Sequence, residues 1–566
     1  MSFAGFLITM VARRAAARFE KASHRPMEQQ TRKLMEIVTR NADTDFGRRF
    51  NFAAIRTVKD YQRQVPLITY EDMQKDIERM AAGEPNVLTA ERPVMFAQTS
   101  GTTGDPKLIP VTPSCQGRDH TDIMRTWLYT ARRDHAAIFD GKMVALVSPA
   151  VEGYTEAGIP YGSTSGHIYR ELPGVIRRLY AVPYCVFEIP DYTAKYYTIM
   201  RLSLEQNVSM LCTANPSTIL KMCEKADELS EEIICDIRNG SLSQKMDIPV
   251  AIRRQLEPGL RKNKAQAESL THWRSKRSGT LIPADYWPRL SLIGCWKGGT
   301  VGHYVKRLTP WFDPDGRRKI PVRDWGYLAS EMRGSLPLAD EGSHGALTVA
   351  TNFYEFADVE DVEAKPDDPG SWAYKTVSDL VDGGIYHVFV TTTGGLYRYD
   401  INDVVQVTGY HNQTPQIAFL RKGSGMTNIT GEKLSVNQVI SACQAASQVT
   451  GVVLDRFKVE VDADKSRYLL RVEFADRPDE ERQRTFLREF DQSLKEINIE
   501  YKAKRESLRL SPPVLHVMRE GWHERERKRV VQGGHRMFQA KEEILSPVKQ
   551  RTDMIRPELD HVIELT

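Results

Sequence analysis

Residues 94–112 read VMFAQTSGTTGDPKLIPVT. An apolar run, a loop of small and polar residues, and a second apolar run predict strand, glycine loop, strand. This pattern constrains the chain most, because it is the strongest local signal for a loop that handles phosphate. Glycine lets the backbone approach a ligand closely and turn its N–H groups toward oxygen, so TSGTTGDPK is suited to wrap polyphosphate. Ser100, Thr102 and Thr103 add hydroxyl donors, and Lys107 adds positive charge. A Walker loop is excluded: Gly101 and Gly104 stand too close, and Leu108 follows the lysine. The competing reading is an ordinary surface turn.

The flanking sequence predicts how the body is built. Residues 1 to about 95 read as helix, with apolar positions at three- and four-residue spacing through 30–42 and 70–82. From about 140 to 355, runs such as MVALVS, VSMLCTA and LSLIGCW alternate with helical stretches, which predicts a largely parallel sheet. GALTVATNFYEFADV, GIYHVFVTTTGGLYRYD, DVVQVTGYHN and QIAFLRKG then read as a β-rich subdomain. Beyond Gly431 come a helix near 436–449, a hairpin from RFKVEVDAD and RYLLRVEFAD, a long charged helix over about 478–507 and a strand, PVLHVMREG. The predicted fold class is α/β: a large N-terminal layered α/β domain (1–425), a hinge (426–434) and a small, mobile α+β domain (435–566).

Composition excludes several function classes. At 566 residues the chain is too long for one ordinary core. Its 78 basic and 74 acidic residues nearly cancel, giving no reason to expect nucleic acid or an anionic membrane as partner. The densest charge run, WHERERKRVV, is interrupted by Glu524 and Glu526 and reads as a solvated helical face. Seven scattered cysteines point to reduced thiols and a cytoplasmic location. The apolar N-terminal stretch is short and followed by its positive charges, so it reads as an amphipathic helix packed on the body. No run reaches the roughly 20 apolar residues of a membrane span. His303 and His411 show no metal spacing.

Three further segments matter. Within GYLASE (326–331), local pattern makes Tyr327 a core residue and Glu331 a solvated carboxylate. YRYDINDVV carries Asp400, read as a surface or turn residue, and Asp403; Arg398 reads as one half of a buried ion pair. FQAKEE contains Lys541, with Lys549 nearby as a competitor.

With VPLITYEDMQKDIERMAAGE, IGCWKGGTVGHY, TNFYEF, GLYRYDINDVVQVTGYHNQTPQIAFLRK and GGHRMFQAK, these blocks cover about residues 30–545 in one order. The ordered set resembles the auxin-responsive (Gretchen Hagen type) acyl-acid amido synthetases and their bacterial relatives, in the adenylate-forming superfamily. The resemblance implies ATP and Mg²⁺ as cofactors. It implies that Ser100, Gly101, Thr102, Thr103, Gly104 and Lys107 grip polyphosphate, that Tyr327 and Ser330 line the adenylate pocket, and that Glu331 is a catalytic metal ligand. It assigns Asp403 to the ribose hydroxyls, Arg421 and Lys433 to the nucleotide near the hinge, and Lys541 to catalysis on the mobile domain. Asn402 stands where the family has Gly, and Asn also tolerates a left-handed backbone. Ala540 replaces the family's usual aromatic, and Arg421 and Lys433 otherwise read as solvated loop cations.

The implied reaction adenylates a carboxylic acid, releases pyrophosphate, and passes the acyl group to an amine, commonly of an amino acid, releasing AMP. The expected partners are the small acid and amine, with no nucleic acid or membrane, and a monomeric chain. An acyl-CoA ligase shares the first half-reaction and remains an alternative. A non-catalytic nucleotide-binding member of the fold is a second one.

Overall fold

The computed structural model describes residues 3–99, 107–298, 303–366, 368–423, 425–523, 525–526, 544–547, 549 and 555–565. The chain falls into two compact units: Met1–Gln98 with Leu108–Arg421, and Thr99–Lys107 with Lys422–Thr566.

The first unit opens with the helices Phe3–Ser23, Pro26–Arg40, Val58–Gln64 and Tyr70–Ala81. The last shows why sequence becomes helix here. The hydroxyl of Thr69 accepts from Asp72 N, and the Asp72 carboxylate accepts from Thr69 N at 2.9 Å, closing a capping box that contributes about 1 kcal/mol. Met73, Ile77 and Met80 recur at helical spacing and are buried. The predicted strand–loop–strand is present as Met95–Thr99 and Lys107–Val111, with the residues between them outside the described set.

MVALVS, VSMLCTA and LSLIGCW supply Lys142–Ala145, Val208–Cys212 and Leu292–Gly294. Val322–Arg323 completes this four-stranded sheet, and every pairing is parallel. A separate six-stranded sheet has the order Phe353–Asp358, Ile385–Thr391, Tyr399–His411, Thr414–Lys422, Gly345–Leu347, Ser335–Leu336. One hydrophobic core joins this sheet to the N-terminal helices, with Leu34, Ile77, Phe96, Tyr354, Val388 and Val405 among its members.

The second unit is α+β. Leu454–Asp462 and Arg467–Phe474 form the expected antiparallel hairpin within a five-stranded sheet. Val459, Val461, Leu470 and Val472 pack against Phe486, Phe490 and Leu494. The long charged helix expected over 478–507 is instead two helices, Glu480–Ile497 and Ile499–Glu506. Asn498 breaks it: its backbone is extended, and its side-chain oxygen caps Tyr501 N at 2.9 Å. Its amide donates to Glu432 O and Gln438 Oε1, each at 3.1 Å. All seven cysteines are free thiols, and no described helix is long and apolar enough to cross a membrane.

Candidate active site

The segment after Asp324 folds into a tight hairpin. Gly326 has φ +86°, and a Cβ there would lie 2.3 Å from the Ser335 carbonyl oxygen, so only glycine fits. Tyr327 O accepts from Gly334 N (2.7 Å) and Ser335 N (3.0 Å), while Tyr327 N donates to the Ser335 hydroxyl at 2.9 Å. Ala329 and Met332 exchange backbone hydrogen bonds of 2.9 and 3.3 Å. Ser330 and Glu331 therefore form the two-residue tip. Although it sits on a turn, Glu331 is only 8% exposed, and its Oε2 is buried with no hydrogen-bond partner among the described residues.

Asp403 comes from the strand Tyr399–His411. In the ladder with Ile385–Thr391, Val388 faces Asp403 but Phe389 faces Asp400, so the intervening residues bulge. Asn402 adopts φ +53°, and its N–H donates to Asp400 Oδ1 at 2.7 Å. Asp400 thus stabilises the bulge from within the strand, where a surface or turn position was expected of it. Asp403, 2% exposed, accepts the Tyr327 hydroxyl at 2.8 Å. The Tyr327 ring lies parallel to Phe419, centroids 6.0 Å apart, and a Cβ at Gly334 would come within 2.6 Å of it. Burial, then the charge of Asp403, pushes the Tyr327 phenol well above its ordinary range, so it remains a donor. The Glu331 charge acts in the same direction on Tyr327 and Tyr399. Tyr327 and Asp403 are thus joined by a buried hydrogen bond, and Glu331 is buried at the tip of the hairpin that carries Tyr327.

The other expected residues are placed as follows. Lys107 begins its strand and is partly buried; the next residue, Leu108, donates its N–H to the Tyr70 hydroxyl at 2.9 Å. Ser330 is partly exposed at the hairpin tip. Arg421 pairs with Glu363 at 2.6 Å, both solvent-exposed. Lys433, at φ +50°, lies in the second unit, where Glu500 is held below the usual carboxylate range against its burial by Lys504 and then Lys433. Ser100, Gly101, Thr102, Thr103, Gly104 and Lys541 lie outside the described residues. Lys549, the competitor of Lys541, pairs with Asp462 at 3.3 Å. Arg398 is in the buried ion pair expected of it, with Glu355 at 3.0 Å. No group of three or more His, Cys, Asp or Glu that could hold a metal occurs among the described residues. Phe419 was not foreseen from the sequence, because its pairing with Tyr327 depends on strand order and not on any local pattern.

Three family models cover most of the chain: the GH3 family N-terminal domain over residues 15–315, the central domain over 345–422 and the C-terminal domain over 436–550. The fold is that of the acyl acid amido synthetases. It is similar to a solved "AtGH3.15 acyl acid amido synthetase in complex with 2,4-DB" with TM-score 0.65 at 20% identity, covering 97% of both chains. The chain belongs to the GH3 family. Among its curated relatives, an indole-3-acetic acid-amido synthetase of Arabidopsis thaliana is 24% identical over 76% of this chain and 80% of its own. A jasmonoyl–L-amino acid synthetase of Oryza sativa subsp. japonica is 25% identical over 87% and 86%.

Proposed function

We propose that this protein is an ATP-dependent acyl-acid amido synthetase working in the cytoplasm as a monomer. The observation that carries the reading is the buried Tyr327–Asp403 hydrogen bond together with the buried Glu331 at the tip of the same hairpin as Tyr327, in the two segments whose motifs resemble the family's. In the first half-reaction a substrate carboxylate oxygen attacks the α-phosphorus of ATP. The bond to the β-phosphate oxygen breaks, and pyrophosphate leaves with its electron pair. In the second, the amine nitrogen of an amino acid attacks the acyl carbon. The bond to AMP breaks, and the nitrogen loses its proton.

The chain's task is positioning and charge neutralisation. Ser100 to Gly104 and Lys107 hold the polyphosphate. Asp403, oriented by Tyr327, accepts from the ribose hydroxyls, since a carboxylate can accept two O–H bonds at once. Ser330 and the Tyr327 ring border the adenylate, Arg421 and Lys433 meet the nucleotide, and Lys541 stabilises charge at the α-phosphate. The small domain (435–566) moves about 426–434 between half-reactions. Glu331 suits a magnesium ion, because one oxygen of a nearly buried carboxylate has no partner among the described residues, and Mg²⁺ takes one or two protein carboxylates beside phosphate oxygens. When bound, that ion would neutralise polyphosphate charge.

A pyrophosphate-release screen crossing carboxylic acids with amines and coenzyme A tests the reading. Acid-dependent release with amide formed in the absence of coenzyme A is expected. Thioester without amide would establish the ligase alternative, and no release with any acid would overturn both. In the same assay Tyr327→Phe should raise the KM for ATP roughly tenfold, the equivalent of one hydrogen bond to a charged group, with kcat little changed.

A further inference from the structure

Arg333 stands two residues beyond Glu331, on the returning arm of the hairpin, directly opposite Leu328. Residues opposite one another in an antiparallel bridge share a face, and their chain neighbours point the other way. Leu328 and Arg333 therefore share the face opposite to Tyr327. The Arg333 carbonyl is anchored by the Thr348 hydroxyl at 2.6 Å. Its guanidinium has no such anchor: no carboxylate lies within ion-pair distance among the described residues, and Nε is buried without a hydrogen-bond partner. The side chain keeps partial solvent access.

The polar groups whose charge couples to Arg333 lie on the segment Cys115–His120. His120 Nε2 meets Cys115 Sγ at 3.4 Å, and both residues are buried. Burial, then Arg333, drives the imidazole down to about 3, and burial pushes the thiol up to about 12, so neither carries charge at neutral pH. Burial also pulls Arg333 down to about 10, still protonated. Asp119, the nearest acid on that segment, is already engaged by Lys33 at 3.3 Å and by the Thr393 hydroxyl. The result is a partly desolvated guanidinium with no counter-anion among the described residues, an arrangement that is costly until an anion arrives.

We infer that Arg333 is a specificity-determining residue that holds a substrate carboxylate, one that is not consumed in the adenylation, on the hairpin face opposite the Tyr327–Asp403 pair. A guanidinium fork matches a carboxylate in two parallel hydrogen bonds. That carboxylate comes either from the far end of a dicarboxylic acyl substrate or from the α-carboxyl of an amino-acid acceptor. The inference rests on the amido-synthetase reading.

The test compares the wild-type chain with Arg333→Met and Arg333→Lys. The first arm measures ATP–pyrophosphate exchange without amine, using adipate against hexanoate and suberate against octanoate. The second measures amide formation with alanine against alaninol. A wild-type preference for the diacid that Arg333→Met removes, with KM rising at least about tenfold and partial rescue by Arg333→Lys, assigns the acyl source; a truncated buried charge contact gives that scale. The same loss confined to alanine assigns the acceptor. In either case Arg333→Met should melt no lower than wild type, because it removes an uncompensated charge; a lower melting temperature with unchanged KM values would make Arg333 structural and overturn the inference. Unchanged KM values and preferences in both arms also overturn it. Wild-type protein that exchanges with no acid would overturn the amido-synthetase reading itself.

Discussion

Glu331→Gln is expected to lower acid-dependent pyrophosphate release by roughly 10²–10³-fold while leaving the protein folded. The scale is that of removing one electrostatic contact to charge that develops during the reaction. The substitution keeps the shape of the side chain and removes only its charge. The hairpin tip does not depend on that charge, since its hydrogen bonds run between Ala329 and Met332. Glu331 Oε2 makes no hydrogen bond among the described residues that the change would break. Thermal melting should therefore hold or rise, and the remaining activity should need a higher magnesium concentration. Pyrophosphate release within about threefold of wild type would remove Glu331 from the machinery.

Arg398→Met is expected to have the opposite signature, a loss of stability of about 3–5 kcal/mol, because it leaves a charge buried without its partner. The side chains of Arg398 and Glu355 are 4% and 1% exposed. Arg398 Nη1 also donates to the carbonyls of Gln62 (3.1 Å) and Val65 (2.8 Å) where the helix Val58–Gln64 ends, and its guanidinium stacks 4.3 Å over the Tyr374 ring. Cations at a helix C-terminus satisfy its last carbonyls. Urea unfolding should show the midpoint falling with little change in slope. Adding Glu355→Gln to Arg398→Met should recover part of the loss; a double variant as unstable as the sum of the singles would show that the two charges do not act as a pair.

Periodic and capped segments were legible in the sequence. Thr69 with Asp72, and the spacing of Met73, Ile77 and Met80, specify their helix locally, and the glycine loop announced the strands on either side of it. Asn498 lies inside a segment rich in charged residues that reads as one helix, and its role as a break shows only in its side-chain bonds to Glu432 and Gln438. The site was legible only as motifs. GYLASE by local pattern suggests a solvated Glu331, yet the hairpin buries it, because exposure depends on what the rest of the chain packs around the turn. The bulge that turns Asp403 inward is partly visible, since Asp400 and Asn402 are residues that bond to their own backbone and tolerate positive φ. Phe419 beside Tyr327 was not readable, because it follows from the order of strands in the six-stranded sheet. Nor was the position of Arg333, which has no carboxylate within ion-pair distance among the described residues.

The tip formed by Ser330 and Glu331 also bears on how this segment can diverge. A two-residue turn has no slack, and strand faces alternate with every residue. One residue inserted or deleted between Leu328 and Arg333 would shift the register by one and exchange the faces of everything beyond it. Arg333 would then move to the side of Tyr327, and Gly334 would no longer make room for the tyrosine ring. Substitutions at Ala329 and Ser330 leave that parity intact. Natural variants of this hairpin should therefore differ in composition at Ala329 and Ser330 while keeping Glu331 and the length of the turn.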